Sequence, residues 1–322
     1  MELDEVAAQV SASLSIEPSE ASKIVNKARL GGEINDSCDA YRWLKDRFLP
    51  NVVSIDEDGY AHMCIDALKT ITTTVATDFG GSRQRDLSQL WADKTRGYLG
   101  ELAFVNWLKG KWDIDAELGH EQGSLEEYLP MDIHRVKKKG EATSRAPNLK
   151  IGVKATKWNG IWLDIWGSQF VHSDIHVLVK VGTGREHLVG YLKKISVFKD
   201  KILSEGRRIK AIDQEQADQI FKSLPSYQPI SAYICGFVAK SQSYTNLPYA
   251  GQKKRKHYTI SSWNGPIGRS DLESIRTKEG LAKDAQIKFE GIGKFAHDKG
   301  YVFNAGNLHW TDHEWEPILN KL

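Results

Sequence analysis

Apolar positions change their spacing along the chain near residue 110, and that change divides the sequence. Ahead of it they recur every three or four residues, the period of a helix with one buried face. Residues 2 to about 48 read as short helices. Ser19, Glu20 and Ser22 supply capping side chains ahead of Ile24, Val25 and Ala28, and Gly31 with Gly32 stops the segment. Asp39 to Phe48 sets Tyr41, Leu44 and Phe48 on one side. Pro50 and the run Asp56-Glu57-Asp58-Gly59 interrupt the pattern. His62 to about Asp78 predicts another helix, weakened by the β-branched residues from Ile71 to Val75 and ended by Gly80 and Gly81. From Asp86 the helical pattern is strongest, carried by Leu87, Leu90, Trp91, Leu99, Leu102, Ala103, Phe104 and Leu108.

After Gly110 short β-type runs take over, at Lys111 to Leu118, Met131 to Val136, Leu149 to Trp158, Ile161 to Trp166, Ile175 to Val181 and His187 to Leu192. Gly, Pro, Asn and Ser punctuate them. The last two runs flank Gly182-Thr183-Gly184-Arg185-Glu186, which predicts a hairpin turn and not a phosphate loop. Ser196 to Glu205 and Asp213 to Leu224 read as helices, and Ile230 to Ala239 as a strand. Beyond it lie several turns, a helix over Ser270 to Glu279 and an aromatic tail with Trp310 and Trp315. The pattern predicts an α/β fold with an α+β mixed sheet: a helical N-terminal region over 1–85, a core over 86–240 and a mixed C-terminal region over 241–322.

A length of 322 residues allows roughly two domains of about 150 residues each. A hydrophobic fraction of 40% and a charged fraction of 27% belong to an ordinary globular chain, which excludes fibrous and disordered classes. Cys38, Cys64 and Cys235 are odd in number and far apart, so they read as free thiols in a reducing compartment. With no basic-then-apolar start and no apolar run of ~18 to 20 residues, the expected location is cytoplasmic. A net charge of +2 does not announce a polyanion binder, although a near-neutral total can conceal a basic groove.

Candidate chemistry lies in the middle of the chain, as an ordered series. A helix reading Thr95-Arg96-Gly97-Tyr98-Leu99-Gly100-Glu101-Leu102-Ala103-Phe104 carries one acid, Glu101, and its two glycines predict close approach to a neighbour. A strand reading Pro130-Met131-Asp132-Ile133-His134 carries Asp132. The next, Leu149-Lys150-Ile151-Gly152-Val153-Lys154-Ala155-Thr156, carries Lys154 among apolar residues. Alternation puts Gly152, Lys154 and Thr156 on one side of that strand, Val153 and Ala155 on the other, and sets Lys157 opposite to Lys154. Each residue also has an ordinary role: Glu101 as a solvated helix residue, Asp132 in a turn, Lys154 as an edge-strand charge.

Across residues 86 to 191 this series resembles the PD-(D/E)XK nuclease superfamily, the fold of many type II restriction endonucleases. Asp132 stands at the position of the family's first acid, Lys154 at its lysine, and Glu101 within a Gly-Glu-x-Ala-Phe context at the helix acid. Gly152 occupies the place of the second acid, and Met131 that of the usual proline, with Pro130 one place earlier. The resemblance implies a magnesium-dependent enzyme that hydrolyses double-stranded DNA. Asp132, Glu101 and the Val153 carbonyl would be the metal ligands, with Glu101 filling the vacancy at Gly152, and Lys154 would orient water and offset charge on the phosphorane. It also implies a homodimer suited to palindromic sites. The alternatives are a repair, recombination or transposition nuclease with the same core, or a DNA-binding protein without turnover.

Basic residues between the two strands, Lys137, Lys138, Lys139 and Arg145, would contact phosphates, or else form a solvated loop. Lys253, Lys254, Arg255 and Lys256 form a second candidate, with an ordinary surface charge run as the alternative. His309 and His313 lack further zinc ligands nearby and read as surface histidines.

Overall fold

The computed structural model describes residues 3–36, 38–71, 86–119, 132–244, 249–254, 257–294 and 299–322. The N-terminal region contains α1 (Leu3–Leu14), α2 (Pro18–Leu30), α3 (Ala40–Arg42) running into a π-type turn over Trp43–Phe48, β1 (Val52–Ile55) and α4 (Glu57–Ile71). Then follow α5 (Leu87–Trp112), β2 (Asp115–Leu118), β3 (Ile133–Lys137), β4 (Ile151–Lys157), β5 (Trp162–Trp166), α6 (Gly167–His172), β6 (Ile175–Val181) and α7 (His187–Lys194). A helical excursion through α8 (Ser204–Arg208) and α9 (Gln214–Ser223) leads to β7 (Ile230–Ala239). The C-terminal region adds β8 (Ala250–Lys254), β9 (His257–Ser262), β10 (Asn264–Gly268), α10 (Arg269–Lys278), β11 (Gln286–Phe289), β12 (Gly293–Lys294), β13 (Lys299–Asn304) and α11 (Asp312–Leu319).

The fold is α/β around a mixed sheet of order β1-β7-β6-β4, in which β4 and β6 are parallel and the other pairs antiparallel. β6 is buried at every position, so its residues are apolar except for His176 and Lys180, as expected of a strand covered on both faces. On one face Val153, Val177, Val179 and Ile234 pack against Leu99, Ala103 and Phe104 of α5 and Tyr60 and Met63 of α4. On the other, Leu178, Tyr233 and Cys235 meet Val10, Ile24, Trp43 and Phe48, together with Leu163 and Phe303. The N-terminal region thus covers both faces of the central sheet, α4 on one and α1 to α3 on the other. β5 pairs with β13 and β13 with β10, which ties the C-terminal region to the middle of the chain. α11 returns Trp315 and Leu319 to α5, where Trp315 lies 4.9 Å from Trp107. No described helix is long and apolar enough to cross a membrane.

A buried charged cluster joins these layers. Glu33 accepts from Lys180 Nζ, from Tyr233 Oη at 2.9 Å and from Trp43 Nε1 at 3.3 Å. Arg47 donates to the carbonyls of Cys235 and Ala305 at 3.0 and 2.7 Å. Burial works against the Glu33 charge, but Lys180 and Arg47 outweigh it and hold the carboxyl below its ordinary range.

Several predicted elements differ. Residues 187–192 are the helix α7 and not the second strand of a hairpin. Both edges of β6 are already taken, by β4 and β7, while Leu188, Tyr191 and Leu192 reach the core at helical spacing. Tyr60 Oη and His187 Nδ1 lie 2.7 Å apart and fix the start of α7. The strand predicted from Lys111 begins only at Asp115, because α5 continues to Trp112 and ends on Asp113 in the left-handed conformation at φ 53°. Asp86 starts α5 by accepting from the Gln89 N–H at 2.7 Å. The helix predicted over 62–78 begins earlier, at Glu57; residues 72–78 lie outside the described residues.

Candidate active site

α5 lies along the face of β4 formed by Val153 and Ala155. Contact is closest at Gly100, where a Cβ would stand 2.6 Å from the Ala155 Cβ, so a side chain there would force the helix off the strand. Gly97, paired with Gly100 in the sequence argument, faces open space. Glu101 is half-buried on the helix residue beside this closest approach.

Asp132 stands just ahead of β3. Its N–H donates to the Ile151 carbonyl at 3.0 Å, and its Oδ2 accepts the Val153 N–H at 2.5 Å. Both bonds use the edge of β4 that faces away from β6. Along a strand the N–H and C=O of one residue point to the same side. The Val153 carbonyl is therefore aimed along the edge that Asp132 occupies. Two oxygens give a carboxylate about four acceptor positions, so the bond to Val153 orients Asp132 without exhausting it.

Lys154 alternates to the far side of β4. Its ammonium donates to Gln169 Oε1 on α6 at 2.9 Å. The structure thus brings Asp132, Val153 and the helix turn carrying Glu101 to one edge strand, whereas the Lys154 amine turns toward α6, on the face opposite to α5. The arrangement expected from sequence, with Lys154 facing both carboxylates, differs for that reason. Glu101 acts on Lys94, seven residues earlier and two helical turns away on one side of α5. Burial pushes the Lys94 ammonium below the ordinary lysine range, and Glu101 pulls it back. Sequence reasoning passed over Lys94, although its spacing from Glu101 was visible.

The vacancy at Gly152 has a steric explanation. A Cβ there would lie 3.0 Å from Ser173 Oγ and 3.3 Å from His176 Nδ1. His176 is buried, its Nδ1 has no hydrogen-bond partner among the described residues, and burial lowers its pKa to about 4. A longer side chain at 152 would have to displace these groups.

No family model, curated protein or solved structure matches this chain.

Much of the predicted basic surface is engaged within the molecule. Lys138 Nζ donates to the Asn320 carbonyl at 3.0 Å, Lys139 stands 3.8 Å from Asp113, and Arg145 holds Glu141 at 3.2 Å as well as the Leu322 carbonyl. Lys137 is half-buried at the end of β3. Lys253 Nζ donates to the Gly280 carbonyl at 3.0 Å, beyond the end of α10, and Lys254 is exposed beside it. Arg255 and Lys256 lie outside the described residues. His309 Nδ1 lies 2.6 Å from Glu314 Oε1 and precedes the helix that carries His313, so the two imidazoles do not share a helix face.

Among the described residues no three His, Cys, Asp or Glu side chains gather as a metal group. The oxygens at the β4 edge still fit Mg²⁺, which binds through one or two carboxylates and keeps several waters, and has no use for nitrogen or sulfur donors.

Proposed function

We propose that this protein is a magnesium-dependent endonuclease that hydrolyses double-stranded DNA, of the restriction type and acting as a homodimer in the cytoplasm. The observation that carries the reading is the placement of the Asp132 carboxylate against the Val153 N–H, which puts a carboxylate and a strand carbonyl on one edge of β4. Asp132 and Val153 would hold the metal from the strand and Glu101 from the helix. When bound, Mg²⁺ supplies a Lewis acid for a phosphoryl oxygen and a water of lowered pKa.

The chain's own contributions are orientation and charge. The Val153 N–H fixes one oxygen of Asp132, so little reorganisation is needed when a phosphate arrives. Close packing at Gly100 holds Glu101 at a set distance from the strand. Lys154 retains two further donor hydrogens after its bond to Gln169, and to offer them to a phosphate oxygen at the Asp132 edge its side chain would have to swing away from α6. Lys94 is the second ammonium available, on the Glu101 side.

The test is conversion of supercoiled plasmid to nicked and linear forms with Mg²⁺, against an EDTA control, for the wild type, Asp132→Ala and Lys154→Ala. Cutting by the wild type at fixed positions, lost in Asp132→Ala, supports the restriction reading. Fragments without fixed ends favour a repair or recombination nuclease. The absence of a second strand acid at Gly152, where a side chain would crowd Ser173 and His176, favours the non-catalytic DNA-binding reading. That reading wins if the wild type binds plasmid and never cuts it.

A further inference from the structure

The basic residues singled out from sequence leave unexplained a different group of cations, at the C-terminal ends of the parallel strands β4 and β6. Lys157 ends β4 opposite Val181, which ends β6. Two residues beyond Val181, Thr183 accepts from Arg96 Nε of α5 at 2.8 Å, and the same guanidinium holds Asp93 at 2.9 Å. Exposed Arg185 follows in the same loop. A strand end, a helix and a loop thus each bring one positive side chain to one place. Among the described residues neither the Lys157 ammonium nor the Arg185 guanidinium has a hydrogen-bond or ion-pair partner.

Asp93 is the acid that acts on Lys157, and it is already held by Arg96. Glu186 lies further round the loop, its carboxylate 3.8 Å from where a Gly184 Cβ would stand. Burial, and then the repulsion of Arg96 and Arg185, push the Lys157 ammonium below the ordinary lysine range. Like charges crowded in this way are relieved by an anion that all of them can reach, and guanidinium forks match phosphate oxygens.

We propose that Arg96, Lys157 and Arg185 form a seat for a backbone phosphate of bound DNA, beside the edge that carries Asp132 and Val153. The identification of the anion as DNA rests on the nuclease reading above. Lys157 lies four residues beyond Val153 on the same strand, about 13 Å at ~3.3 Å per residue. One DNA strand advances about 3.4 Å per nucleotide along the helix axis, so the seat takes a phosphate a few nucleotides from the cleaved bond. It fixes the duplex along β4 without reading bases, as backbone contacts do.

Fluorescence anisotropy of a labelled DNA duplex in EDTA tests this apart from cleavage, over a salt titration. For Lys157→Gln/Arg185→Gln the slope of log K against log salt falls in magnitude by about 1, the loss of one phosphate contact. Lys199→Gln/Lys201→Gln removes the same charge from exposed positions and leaves the slope near that of the wild type. Equal slopes for wild type and Lys157→Gln/Arg185→Gln, absence of binding by the wild type, or an equal loss in the control pair overturns the seat. Plasmid cutting by the wild type is scored separately: binding with the expected slopes but no cutting removes the nuclease reading and leaves the seat standing.

Discussion

Gly100 and Ala155 approach so closely that a Cβ on the glycine would come within 2.6 Å of the alanine Cβ. This contact sets the distance between α5 and the edge strand β4, and with it the position of Glu101. Gly100→Ala must move the helix or the strand, and overpacking of this kind costs about 1 to 3 kcal/mol. Adding Ala155→Gly makes room and recovers most of the loss. Urea unfolding of the two single variants and the double variant measures both effects. Wild-type stability in Gly100→Ala would show that the contact is not tight.

Asp132→Asn separates architecture from chemistry. The amide oxygen can still accept the Val153 N–H, so the thermal midpoint stays near that of the wild type. Loss of the carboxylate charge lowers Mg²⁺-dependent nicking by about 100-fold or more, the scale of losing one preorganised electrostatic contact. Undiminished nicking would remove Asp132 from the site.

The Glu33–Lys180 pair links the N-terminal layer to β6 deep in the core. Lys180→Met leaves Glu33 buried without its main counter-charge and costs about 3 to 5 kcal/mol. Glu33→Leu/Lys180→Met removes both charges and costs less than Lys180→Met alone. A double-mutant cycle by denaturant unfolding reads the coupling, and strictly additive losses would contradict it.

Acid stability depends on Glu314. Burial works to raise its pKa, but donors from His309, Thr311 and Trp310 together bring it from 4.5 to about 2. A carboxyl with a lowered folded pKa stabilises the fold above its unfolded pKa, and that contribution fades as pH falls toward the folded one. The urea midpoint of the wild type therefore falls between about pH 5 and pH 2 more steeply than that of Glu314→Gln, whose side chain does not titrate. Parallel curves for the two proteins would show that Glu314 is not held in this way.

Much of the fold was legible because local spacing carries it. β6 and β7 match their predicted ranges at both ends, since strands covered on two faces are mostly apolar, and the two polar residues of β6, His176 and Lys180, do not break the run. α5 was legible from its period, and α9 from a stretch opening on Asp213, which accepts from the Gln216 N–H at 2.8 Å. α7 was not. His187 to Leu192 carries β-type residues, and nothing within them says that both edges of β6 are already occupied. Lys137, Lys138, Lys139 and Arg145 stood out as a charge run, yet partners of three of them, Asp113, Glu141, Asn320 and Leu322, come partly from the far end of the chain.

For the candidate site the division is similar. By itself the sequence determined the order of helix acid, strand Asp and strand Lys, and the parity that separates Lys154 from Val153 and Ala155. These are properties of neighbouring residues and of the fixed periods of helix and strand. Only the tertiary structure decided that Asp132 docks on the Val153 N–H, that α5 covers the face away from Lys154, and that Arg96, Lys157 and Arg185 meet. Those relations join segments tens of residues apart, and they follow from which face and edge of each element is left to be covered, which no local pattern encodes.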